Sequence, residues 1–134
     1  MKIGQLAKIT GFGIETIRFY EKEGILAPVN RTSSGYREYD NQTVIRLEFI
    51  RRAKELGFSL KETKALLELS ASKDSKCKTV KKKTEEKIKE INLKIADLVR
   101  IKESLESLSN TCIEGEEPTD KCPILENFVK KESP

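Results

Sequence analysis

Histidine and tryptophan are absent from the 134 residues, and cysteine occurs only three times. Without histidine there is no catalytic triad, no His–Cys dyad and no mixed Cys/His zinc finger. Aromatic residues make up only 6% of the chain, against 36% charged and 37% hydrophobic. A compact core usually draws on more apolar residues. This balance suits long solvated helices that bury a narrow stripe, and the length fits one small domain with an extension. No apolar run approaches a membrane span, and Met1-Lys2-Ile3-Gly4 does not open a signal-peptide core. The expected address is therefore the cytoplasm, with no membrane partner, where an odd number of cysteines reads as reduced thiols. No acid–base pair and no phosphate-cradling glycine loop point to catalysis, so no enzymatic activity is expected.

Basic residues outnumber acidic ones 26 to 22, a net charge of +4. Up to Ser70 the balance is 12 basic to 9 acidic; beyond it, 14 to 13. So mild an excess makes nucleic-acid binding a matter of a local patch. Residues 3–26 read as two short helices around Gly11-Phe12-Gly13, with Leu6, Ala7 and Ile9 before the turn and Ile14 and Ile17 after it. That is the pattern of a helix-turn-helix, whose second helix enters the major groove; an ordinary helical hairpin has the same outline. From Pro28 to Asp40, turn residues give way to Tyr36-Arg37-Glu38-Tyr39, as in a small β-hairpin or a surface loop. As a wing beside the helices, this hairpin would set Arg31 and Arg37 near its tip for phosphate contacts.

A second helical pair starts at Asp40, stops at Gly57 and restarts at Ser59-Leu60-Lys61-Glu62, a capping box. Ser70 to Lys76 reads as a linker. From Lys78 to Asn110 there is neither Gly nor Pro, and Ile88, Ile91, Ile95, Leu98, Ile101, Leu105 and Leu108 recur every three or four positions. A helix of that length spans roughly 50 Å, and its single seam calls for a partner helix, in a coiled coil or by folding back. The boundaries expected are 1–70 for a winged helix-turn-helix domain with its second helical pair, 71–110 for the dimerisation helix, and 111–134 for a metal-binding loop with a short C-terminal helix.

Cys77 opens the long helix among Lys73, Lys76 and Lys78, surroundings that suit the thiolate a metal needs. Cys112 and Cys122 bracket a polar loop beyond the helix's other end. Three sulfurs on one ion lie within a few ångströms of each other, since each sits ~2.3 Å from the metal. Cys77 and Cys112 of one chain cannot meet that condition. They can share an ion only if Cys77 comes from a second, antiparallel chain, which gives a two-fold dimer with one site at each end. All-sulfur ligation selects soft ions; three thiolates suit Hg2+, Cd2+ or Pb2+, while Zn2+ needs a fourth ligand from Glu114, Glu116, Glu117, Asp120 or water. A redox switch through a Cys112–Cys122 disulfide is the alternative chemistry, and a structural coiled-coil adaptor is a third reading.

At these residues the chain resembles the heavy-metal-responsive branch of the MerR family of transcriptional regulators. The resemblance rests on Ile3-Gly4-Gln5-Leu6-Ala7, Glu15-Thr16-Ile17-Arg18-Phe19-Tyr20-Glu21, Gly35-Tyr36-Arg37, Leu56-Gly57-Phe58-Ser59-Leu60 and Cys77, Cys112 and Cys122-Pro123-Ile124-Leu125. It implies an all-α fold: a winged helix-turn-helix followed by a long antiparallel coiled-coil dimerisation helix. It also implies a homodimer on a two-fold promoter element with an overlong spacer, whose DNA is distorted on metal binding so that RNA polymerase can start. Carried across by residue, Thr16, Arg18 and Tyr20 fall at recognition-helix contacts and Tyr36 and Arg37 at wing contacts. The three cysteines fall at the ligands of a divalent metal, one ion per site and two sites per dimer. Two features depart from the pattern. Gly11-Phe12-Gly13 stands where relatives often carry a capping Ser or Asn. The loop length is similar to zinc-responsive members, but their extra Cys and His are missing. Mercury is thus favoured, then cadmium or lead, then zinc; copper(I)-type members lack a cysteine at the position of Cys77.

Overall fold

The computed structural model describes residues 1–26, 30, 31, 35 and 37–129, with the backbone alone at Asn30 and Arg37. Six helices and one two-residue hairpin follow in the order α1 (Ile3–Thr10), α2 (Ile14–Lys22), β1 (Asn30–Arg31), β2 (Arg37–Glu38), α3 (Asn41–Glu55), α4 (Leu60–Ala71), α5 (Cys77–Ser109) and α6 (Pro123–Val129). A 3-10 turn, Thr119–Lys121, precedes α6. The chain divides into two compact units, 1–84 and 85–134, with the division falling inside α5.

In the first unit the stop signals are physical. Gly11 closes α1 in the left-handed region at φ 79°, where its N–H reaches Ala7 O at 2.8 Å. Gly13, extended, opens α2 without a side-chain cap. The departure from a capping Ser or Asn therefore leaves an N-terminus that relies on packing, and glycine there costs only a few tenths of a kcal/mol. Asp40 caps α3 by accepting from the amides of Gln42 and Thr43 at 3.1 and 3.3 Å. The capping box at Ser59 is complete: the Ser59 amide donates to Glu62 Oε1 at 2.8 Å, and the Glu62 amide donates to Ser59 Oγ at 3.1 Å. Ser59→Ala should lower the stability of this unit by about 1 kcal/mol, read as a shift of the urea midpoint at unchanged slope.

One core joins these helices. Leu6 of α1, Ile17 and Tyr20 of α2, Ile25 and Leu26 after it, Tyr39 after β2, Leu47 and Ile50 of α3 and Leu67 of α4 are all buried in a single cluster. The hairpin pairs antiparallel, Asn30 opposite Glu38 and Arg31 opposite Arg37. Its return strand is held at Tyr39, whose amide donates to Met1 O at 2.7 Å and whose hydroxyl donates to Glu21 Oε1 on α2 at 2.7 Å. The linker is shorter than the expected Ser70 to Lys76, because α4 runs on to Ala71. Ser70 Oγ donates back to Leu67 O at 2.8 Å and stays within the last turn.

α5 is an unbroken helix of 33 residues. Its charged faces carry pairs one turn apart: Glu90 accepts from Lys87 at 2.7 Å and lies 3.3 Å from Lys94. The hydrogen bond from Lys87, then that from Lys94, holds the Glu90 carboxyl below the ordinary carboxylate range. The apolar seam is a different matter. Ile88, Ile91, Ile95, Leu98, Ile101 and Leu105 are all exposed, Leu98 to 64%. Among the described residues, no helix is long and apolar enough to cross a membrane.

Candidate DNA-binding surface and metal-ligating cysteines

α2 is amphipathic, and its burial sorts the residues expected to meet DNA. Arg18 is exposed, Thr16 is half-buried beside the helix N-terminus, and Phe19, not expected on this face, is exposed next to Arg18. Tyr20, expected among the same contacts, is 3% exposed and packs in the core with Ile17. Ile17 and Tyr20 lie three positions apart and so share the inward face of the helix. That spacing was the signal in the sequence that Tyr20 packs against the core. Arg31 is exposed in β1, and its Nη1 donates to Gly35 O across the hairpin at 3.3 Å. Arg37 lies in β2 opposite Arg31. Tyr36 falls outside the described residues.

Two supports of α2 were not found by sequence reasoning. Tyr39 grips its C-terminal end through Glu21. Arg51 of α3 reaches the turn before α2, donating from Nη2 to Thr10 O and lying over the Phe12 ring. Both link positions far apart in the chain, and neither has a local pattern.

The three cysteines are free thiols. Cys77 is the first residue of α5 and exposed; Cys112 stands three residues beyond its end, half-buried, with its amide donating to Ser109 O at 3.3 Å. Cys122, half-buried, follows the 3-10 turn, and its carbonyl accepts from the Glu126 amide at 3.0 Å to open α6. Pro123 next to it suits the first helical position, which needs no N–H. The loop thus carries Cys112 and Cys122 beyond one end of the 33-residue α5, and Cys77 is the first residue at its other end. Among the described residues of one chain, no three His, Cys, Asp or Glu come together as a metal site.

Comparison with known proteins bears on the whole chain. A family model described as MerR HTH family regulatory protein matches residues 1–70. The chain belongs to the MerR family. A second model, MerR, DNA binding, matches residues 44–108 of this MerR-family chain. It is 43% identical over 130 residues to the mercuric resistance operon regulatory protein of Bacillus cereus, covering 97% of this chain and 98% of that one. Among solved structures it is similar to the transcription regulator PbrR691 of Ralstonia metallidurans CH34 in complex with lead(II), at TM-score 0.87 and 30% identity over 96% of this chain and 98% of that one. The MerR of Bacillus megaterium MB1 in complex with mercury(II) matches at TM-score 0.76 and 38% identity, over 97% and 100% of the two chains. The matched proteins are transcriptional regulators, and the likeness extends through α5 to the segment that carries Cys112 and Cys122.

Proposed function

We propose that this MerR-family chain is a metal-responsive transcription regulator that binds promoter DNA as a homodimer in the cytoplasm. The observation that carries it is the placement of three free thiols at the two ends of a helix whose apolar seam is uncovered. Two such helices running antiparallel cover each other's seam. The same pairing brings Cys112 and Cys122 of one subunit to Cys77 of the partner subunit, once at each end. Cys77, Cys112 and Cys122 fit a thiophilic divalent ion: mercury first, then cadmium or lead, then zinc. Bound by thiolates of both chains, such an ion supplies a cross-link between the subunits. Relatives named for mercury and solved with lead support this ligand class.

Arg18 of α2 and the arginine pair Arg31 and Arg37 of the hairpin hold the DNA. The hairpin register places position 31 opposite position 37, so both arginines stand at one place along it, and arginine is the residue type that binds phosphate best. The dimer has two arrangements, and the spacer DNA is deformed in one of them so that RNA polymerase can start; occupancy of the cysteine sites biases the choice. The test is to titrate reduced protein with Hg2+, Cd2+, Pb2+ and Zn2+ under thiol competition and count ions. Two tightly held ions per dimer are expected; one tight ion per isolated chain would sink the shared site.

Arg18→Ala and Arg37→Ala should each weaken operator binding about ten-fold while the dimer and its metal affinity stay intact. For a phosphate contact, the slope of log K against log salt should also fall by about 1. Unchanged affinity in both variants would count against this DNA-binding surface.

A further inference from the structure

We propose that Arg51 of α3 is a positioning residue for DNA recognition, fixing the helix-turn-helix turn so that α2 presents Arg18 at a set angle; this rests on the DNA-binding reading above. The geometry is a relay of three contacts. The Arg51 guanidinium donates from Nη2 to Thr10 O, the last carbonyl of α1, 41 residues away in sequence. A cation is favoured there by the helix dipole as well as by the hydrogen bond. Its face lies over the Phe12 ring, with Cζ 4.5 Å from the centroid. Phe12 in turn meets the buried Tyr20 of α2 edge-on, centroids 5.9 Å apart and planes at 72°. The Phe12 amide is tied to Thr10 Oγ1 at 3.3 Å, which holds the backbone that carries the ring. Glu48, 3.4 Å from Arg51 Nε, orients the guanidinium from its own helix.

This relay accounts for the aromatic residue between Gly11 and Gly13. With no side-chain cap at Gly13, the start of α2 lacks the hydrogen bond that a capping Ser or Asn would add to the backbone bond from Ile17 N–H to Gly13 O. Phe12, clamped between Arg51 and Tyr20, supplies that constraint through packing. Only a planar guanidinium bonds in its plane and stacks through its face at once; an ammonium has no face. The Arg51 side chain is 40% exposed and is not part of the buried cluster.

The experiment uses full-length protein, a duplex selected by the native protein from a random-sequence pool, and a scrambled duplex of the same composition. Arg51→Ala should lower the ratio of specific to scrambled affinity about ten-fold, with an unchanged salt slope. Arg51→Lys should lose most of the same ratio despite keeping the charge. Phe12→Leu should lower the ratio as well, and the Arg51→Ala/Phe12→Leu double variant should lose little more than either alone, since both break one relay. If Arg51→Ala fails to fold, Arg51→Lys and Phe12→Leu decide. A native ratio in Arg51→Lys and Phe12→Leu overturns the proposal; so does additive loss, or a slope reduced by about 1, which marks a direct phosphate contact. Arg18→Ala, run in parallel, separates the two readings. If Arg18→Ala binds as native and Arg51→Lys also does, the DNA surface itself is wrong; if only Arg18→Ala weakens binding, the relay alone fails.

Discussion

Cys77→Ser and Cys112→Ser homodimers are each expected to lose tight metal binding at both ends, with competition by a low-molecular-weight thiol stripping the ion that remains. Every site then has two of its three thiolates. A mixed dimer, Cys77→Ser on one chain and Cys112→Ser on the other, should behave differently. One end keeps only Cys122, while the other end retains Cys112 and Cys122 of the first chain and Cys77 of the second. Such a heterodimer should bind one ion at near-native affinity. Ligand sets confined to one chain leave no intact site in it, so the absence of a tight site in verified heterodimers would reject the cross-subunit arrangement. Tight binding by the Cys77→Ser homodimer would remove Cys77 from the ligand set. The demand follows from α5 itself: 33 helical residues at about 1.5 Å each hold the two ends roughly 50 Å apart.

The second large effect is expected at the middle of the seam. Ile95 is exposed to 53% in the single chain, so a polar replacement there leaves the chain's own packing undisturbed. In a helix pair the same position is covered, and an unpaired carboxylate costs several kcal/mol. Ile95→Glu should therefore raise the dimer dissociation constant by at least about 100-fold, measured by sedimentation. Operator binding and metal binding should fail together at concentrations where the native protein shows both. A dimer of native affinity carrying Ile95→Glu would mean that another surface joins the chains.

Much of this architecture was legible in the sequence because its signals are local. Ser59 and Glu62 lie one helical turn apart, so their capping box is written in four residues. The seam of α5 repeats every three or four positions, and its bounds, Cys77–Ser109, lie one residue from those expected. The separation of Cys77 from Cys112 needed only the absence of Gly and Pro between them. What escaped is non-local or two-faced. The bond of Arg51 to Thr10 joins positions 41 apart, and that of Tyr39 to Glu21 joins positions 18 apart. Tyr20 is two-faced in this sense: its place in the motif points to DNA, and its spacing from Ile17 puts it on the buried face.

In the proposed dimer, the uncovered seam also bears on how much of the protein a cell can keep. A lone chain leaves one apolar residue per turn of α5 in water, and in the proposed dimer those residues are covered only when a second chain arrives. Folding stability is then tied to concentration by mass action. Chains made at low copy number spend longer unpaired, open to proteases and to any foreign helix with a matching stripe. Synthesis close to one another, as from a shared transcript, favours pairing before either loss occurs. In the proposed dimer, exposed charges near the stripe such as Glu90 and Lys94 add a filter against other helices.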